Sequence, residues 1–216
     1  MTTEAGGRRY AGQSVGDRQR ERHARFLESG LTVFARDGYG NSSVGSICKD
    51  AGLSSRQFYE EFSSREAVLV ELFDQIERDS RDAVSGAIDR SLDLSFAHLI
   101  QACTRAYVES VGSDPRRARV GLVEVMGASP SMEQYRLLQR RQWASLVQAI
   151  FEEAATQGEI PAGDYEMRVS AVLGAVNFVV YDWSIADPKP PLDDVVRVLV
   201  PTLIGAMGGL DSRPYM

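Results

Sequence analysis

Residues 43–66, SVGSICKDAGLSSRQFYEEFSSRE, carry three helix-start signals in close succession. Ser43 is a good N-cap for a helix whose inward side is Val44, Ile47 and Ala51, because its hydroxyl satisfies a backbone donor of the first turn. Gly52 stops that helix after about two turns. Ser54 caps the next one, and Gln57 at its third position completes a reciprocal capping box. Ser63 with Glu66 predicts another box, opening a longer helix through Val68, Leu69, Leu72, Phe73 and Ile76. Helices of two turns are marginal alone in water. The two short ones must pack on the long helix that follows and on one that precedes them. Upstream, Phe26, Leu27, Gly30, Leu31 and Phe34 form one apolar stripe at helical spacing, starting near Asp17. Asp37-Gly38 ends it, with Gly38 placed for a left-handed cap.

This arrangement has a directional consequence. Ala51 and Gly52 are small, so two helices can meet at a tight turn, and Leu53 plugs the angle between them. Ser54 caps the second short helix and leaves its N-terminus open. Ser55, Arg56 and Gln57 then lie on the first turn, where a helix-turn-helix presents side chains to base edges in the DNA major groove. Arg suits guanine and Gln suits adenine by geometry. Phe58 and Phe62 form the buried side, so Tyr59 faces outward.

Residues 24–73 resemble the DNA-binding domain of the TetR family. The resemblance rests on Phe34-Ala35, Gly38-Tyr39, Ser43-Val44 with Ile47, Ala51-Gly52-Leu53-Ser54, Phe58-Tyr59, Phe62, and Arg65-Glu66 followed by Leu69. It implies that Ser43, Tyr59 and Arg65 meet DNA phosphates, and that Ser55, Arg56 and Gln57 read bases; Ser54, the cap of the same helix, is a further DNA-binding candidate. It implies no catalytic residue, no metal and no cofactor. Two positions depart from the pattern. Gly45 stands where other members have a longer base-contacting side chain. Glu61 is a carboxylate near the DNA backbone, which requires that it turn away or pair with a cation. The stretch RRYAGQS is similar to the basic arm of some members of the family.

The net charge of −6 argues against a general polyanion binder, but the charge is unevenly distributed. Residues 1–65 hold 10 Lys and Arg against 8 Asp and Glu, and the remainder holds 14 against 22. Asymmetry of this kind points to a local nucleic-acid patch. Arg18 and Arg22 are candidates for contact with phosphates or the minor groove. Residues 1–16 read as a flexible basic arm, 17–65 as the DNA-binding domain, 66–210 as a ligand-binding and dimerisation domain, and 211–216 as a tail.

Downstream of Gly86 the apolar spacing stays helical, near 94–111, 114–127, 130–157, 165–185 and 192–207, with no sustained alternation that would mark a strand. The expected fold is therefore all-α, with about nine helices. Pro201 predicts a kink in the last of them. Phe96, Leu99, Cys103, Tyr107, Met126, Trp143, Val147 and Phe178 are candidate walls of an effector cavity. Polar anchors could be Glu124, Arg105 or Asp182, which nothing in the sequence ranks. Ala171, Gly174, Ala175 and Val179, with Leu199, Leu203 and Met207, make the last two helices apolar over most of their circumference. A partner subunit is the simpler way to bury them.

Cys48 and Cys103 have no metal-ligand spacing, and His23 and His98 are the only histidines. No nucleophile–base pair or metal set is available, which weighs against an all-α enzyme. No apolar run reaches the roughly 18 residues a membrane span needs. The expectation is a cytoplasmic homodimer that binds double-stranded operator DNA and is released by a small apolar or amphipathic ligand. The alternative is a small-molecule-binding helical protein without sequence-specific DNA recognition.

Overall fold

The computed structural model describes residues 15–91 and 94–207. Most of the arm expected at 1–16, and the tail expected at 211–216, lie outside the described residues. Among those described, the chain forms nine α-helices and one π-helical turn. Helix α1 spans Val15–Asp37, α2 Val44–Ala51, α3 Ser55–Glu61 and α4 Arg65–Asp89. Helix α5 spans Phe96–Gly112 and α6 Pro115–Arg119, and the π turn η1 follows at Val120–Glu124. Helices α7 (Pro130–Thr156), α8 (Glu166–Ile185) and α9 (Leu192–Met207) follow. Among the described residues, no helix is long and apolar enough to cross a membrane.

The local signals act largely as expected. The Ser43 hydroxyl accepts from the Ser46 amide, and the Ser54 hydroxyl from the Gln57 amide, each within a full capping box. Gly38 and Gly52 take positive φ of 82° and 62°, where a Cβ would be strained. Helix α4 differs: its cap is Ser64, not Ser63. Glu66 does not close the expected box, because its carboxylate accepts from the hydroxyls of Ser129 and Ser131 at the start of α7. A tertiary partner with two donors displaces the single local one. The segment expected as one helix over 114–127 is divided into α6 and η1. Helix α9 runs uninterrupted through Pro201.

Two cores result. The first joins α1–α4 with Val120, Val125 and Met132. Its centre is Phe26, Phe34, Phe58 and Leu69, all fully buried, with Phe26 edge-on to Phe58 at 5.3 Å. The second is built from α5 to α9 around Val108, Phe151, Val180 and Leu199. Helix α4 belongs to both halves of the molecule, packing on α1 at one end and along α5 at the other.

Candidate nucleic-acid interface and effector cavity

The first turn of α3 is presented outward on a rigid base. Phe58, one residue before Tyr59, is fully buried, whereas Tyr59 is 62% exposed. Ser54, Ser55 and Arg56 are exposed as well. Among the described residues Arg56 approaches only the exposed Glu60 one turn later, at 3.4 Å, a contact of little energy in water. Gln57 accepts through Oε1 from the Ser54 amide at 2.9 Å, so its carboxamide is partly occupied in the cap while its amino end stays free to donate.

Two expected DNA contacts have other partners here. Arg22 donates to the Glu61 carboxylate through Nε at 3.1 Å and Nη2 at 2.7 Å. Glu61 is 3% exposed and also faces His23. The carboxylate that would have repelled phosphate is thus turned inward and neutralised, and Arg22 is the residue that neutralises it. Arg65 donates to the Ser42 carbonyl and lies 4.1 Å over the Tyr39 ring, fastening the turn before α2 to the start of α4. Arg18 is exposed on the first turns of α1. Arg25, by contrast, donates to the Ala51 carbonyl at 2.5 Å and braces the end of α2.

In the larger domain, α4, α5, η1, α7 and α8 enclose a cavity of about 590 Å³. That lies within the usual size range for small-molecule sites. Cys103, Tyr107, Met126, Trp143, Val147 and Phe178 line it. Phe96 and Leu99 do not. Phe96 is buried against Phe151, and its amide donates to Glu159. Leu99 lies away from the lining because α5 turns Ile100, Cys103, Thr104 and Tyr107 inward instead.

The lining of α7 is graded along its length: Arg136, Gln139 and Arg140 at one end, then Trp143 and Val147, then Ile150 and Phe151. These positions recur at three- and four-residue spacing, so they form one stripe about 22 Å long. Two hydrogen-bonded polar pairs stand among the lining residues. Trp143 donates to Glu77 at 2.7 Å, and Tyr107 donates to Asn177 at 2.7 Å. Burial pushes the Glu77 carboxyl above its ordinary range, and burial with the nearby Glu77 charge pushes the Tyr107 hydroxyl up as well. Burial also pushes the Cys103 thiol up to about 11, which leaves it a neutral, unreactive wall. The three suggested anchors face elsewhere. Glu124 points to the end of α1, Arg105 pairs with Asp193, and Asp182 is exposed.

On the outer side of α8, Met167 is 79% exposed and Phe178 68%. Ala171 and Gly174 are exposed on the same stripe, while Ala175 and Val179 are half-buried at its edge. Val198, Pro201, Thr202 and Gly205 give α9 a matching exposed stripe. Leu199, Leu203 and Met207, expected at a partner interface, are instead at most 5% exposed. They occupy the opposite side of α9, which packs on α5 within the same chain. The sequence pattern could not separate these two sides because both are apolar.

The fold and these sites define a helical protein of two parts: a small helix-turn-helix domain joined by one long helix to a larger domain with a cavity. Residues 26–72 match the family model "Bacterial regulatory proteins, tetR family". The TetR-family match thus covers the helix-turn-helix segment of this chain. It is 28% identical over 188 residues to the HTH-type transcriptional regulator EthR of Mycolicibacterium smegmatis, covering 85% of this chain and 82% of that one. Among solved structures, a tetR-family regulatory protein from Rhodococcus RHA1 superposes with a TM-score of 0.74 at 21% identity, over 88% of this chain and 99% of the other. FadR from Bacillus subtilis, solved in complex with stearoyl-CoA, superposes with a TM-score of 0.71 at 19% identity, over 86% and 99%. EthR and FadR are transcriptional regulators, and the Rhodococcus protein is a regulatory protein of the tetR family.

Proposed function

We propose that the protein is a homodimeric repressor that leaves a palindromic operator when a long-chain acyl thioester, or an amphiphile of the same shape, fills the cavity. The observation that carries this reading is the path of α4. This single helix of 25 residues begins at Arg65, against the turn before α2, and farther along presents Phe73, Glu77 and Val84 to the cavity. A ligand that binds one arrangement of α4 more tightly than another shifts the position of the recognition helix.

The graded lining supports the ligand class. An apolar chain would lie against Ile150, Phe151 and Leu203, and an anionic head against Arg136 and Arg140. That FadR from Bacillus subtilis binds stearoyl-CoA within the same fold agrees with this assignment. The exposed stripes of α8 and α9 form the seam with a second copy. Phe178 belongs both to the seam and to the cavity wall, so dimerisation covers that side of the site.

The test is selection of bound sequences from a random DNA pool at about 150 mM salt, followed by release with stearoyl-CoA. A recovered palindrome with half-sites about 34–36 Å apart, or a compatible multiple, supports a dimeric repressor. Arg56→Ala is expected to change the preferred sequence. Recovery of no motif would leave only salt-sensitive electrostatic affinity and would favour the reading without sequence-specific recognition.

A further inference from the structure

The π turn η1 has one face in each domain. Gly121, Leu122 and Val123 line the cavity. Val120 and Val125, which flank them, are fully buried in the core of the DNA-binding domain. The residue that ends the turn, Glu124, is 11% exposed and accepts through Oε2 from the backbone amide of Tyr39 at 2.7 Å. Its other oxygen accepts from Arg119 at 3.0 Å. Tyr39 lies directly after Gly38, in the turn that leads from α1 to α2. The Ser42 hydroxyl donates to the Tyr39 carbonyl at 2.8 Å, and Arg65 stacks on the Tyr39 ring. The α6–η1 segment is fastened to α1 a second time at its start, where Arg116 reaches Glu28 at 2.5 Å and Thr32 at 3.0 Å.

We propose that Glu124 is a positioning residue for DNA binding, and that the π turn is a second route, beside α4, by which cavity occupancy reaches the helix-turn-helix. The proposal rests on reading the cavity as the effector site. A π turn holds one residue more than an α-helical turn and is a recurrent feature of functional sites. Pressure on Leu122 and Val123 that rewound η1 to α geometry would rotate the residues beyond it by about 100°. Glu124 would then lose the Tyr39 amide, and the turn that carries Ser42 and the Ser43 cap would be freed. Glu124→Gln keeps an oxygen acceptor for that amide and drops the charge facing Arg119. Glu124→Ala removes both.

Hydrogen exchange of the Tyr39 amide in the full-length, ligand-free protein tests this directly. Exchange is expected to speed up about tenfold in Glu124→Ala and to stay near the wild-type rate in Glu124→Gln. Leu122→Phe, which enlarges the cavity side of η1, is expected to speed it several-fold. The amides of Phe58 and Ile76 should keep their wild-type rates in all three variants. On DNA selected from a random pool, Glu124→Ala should bind about tenfold more weakly and Glu124→Gln near normally.

An unchanged Tyr39 rate in Glu124→Ala or Leu122→Phe would overturn the proposal. So would acceleration of Phe58 and Ile76 together with Tyr39, which would make Glu124 a general stabiliser. The exchange measurements use neither effector nor DNA, so their failure sinks this route alone. A wild-type protein indifferent to stearoyl-CoA would instead sink the assignment of the ligand class.

Discussion

Arg22 and Glu61 show what a local reading of residues can and cannot reach. Ser54 and Gln57 are three apart, so their capping box is visible in the sequence and is present in the structure. Arg22 and Glu61 are 39 apart, and only the packing of α1 on α3 brings them within 2.7 Å. Both were conspicuous, Glu61 as a misplaced carboxylate and Arg22 as one of several arginines, but nothing local joined them. The pairing sets a prediction. Glu61 is almost wholly buried while Arg22 keeps about a third of its surface in water, so Arg22→Ala strands a carboxylate with only His23 near it. Loss of one partner of a fully buried pair costs ~3–5 kcal/mol, and the partial exposure of Arg22 reduces this to about 2 kcal/mol. Chemical denaturation should report that loss. Any weakening of DNA binding should disappear once the folded fraction is corrected for. If binding falls while stability holds, Arg22 reaches DNA after all.

At the scale of elements, helix boundaries and inward faces were legible because caps and apolar spacing are properties of neighbours in sequence. The π turn was not legible: Val120–Val123 has no Pro or polar residue to mark it, Glu124 alone does not signal it, and its widening is set by what lies on its two sides. Gly121 shows the constraint, since a Cβ there would meet Ile76 of α4 at 3.1 Å. Gly30 is a sharper case. In the sequence it is one member of the apolar stripe of α1, and in the fold its role is closeness: an added Cβ would lie 2.5 Å from a Val68 methyl. Gly30→Ala gains helix propensity, yet it forces α1 and α4 apart. Overpacking of this kind costs ~1–3 kcal/mol, which outweighs the gain of at most ~1 kcal/mol, so the net change in melting should be downward.

The junction of α4 with α7 makes a pH prediction at the same scale. The hydroxyls of Ser129 and Ser131 hold the Glu66 carboxyl below its ordinary value, against the opposing effect of burial. A group whose folded pKa is lowered contributes stability above its unfolded pKa of about 4.3, and that contribution is lost as pH falls through the folded value. Glu66→Gln should therefore flatten the acid side of the stability profile and leave the slope above about pH 6 unchanged. An acid limb as steep as that of the wild type would show that the contact contributes nothing.

The whole molecule decides which apolar surfaces are interior, and here the sequence was least informative. Helix α9 is apolar on two opposite sides. Leu199, Leu203 and Met207 fill the chain's own core, and Val198, Pro201, Thr202 and Gly205 remain outside. Helix α8 leaves Met167, Phe178 and Ile185 largely exposed. Large exposed apolar side chains gathered on two adjacent helices mark an interaction surface rather than a solvent face. If two copies meet there, a charge at the seam should separate them without unfolding either one. Gly205 is suited to the test because a Cβ at this position meets nothing within 4 Å, and the residue does not line the cavity. Gly205→Glu also replaces glycine with a better helix former, so a protomer should be no less stable. In a symmetric dimer the substitution places a charge in the seam from each copy, which costs far more than it does on a free surface. Sedimentation velocity should show a dimer for the wild type and a monomer for Gly205→Glu, with unchanged helical signal and loss of affinity for a two-half-site DNA. A variant that remains dimeric and still binds such DNA would place the subunit contact on another face.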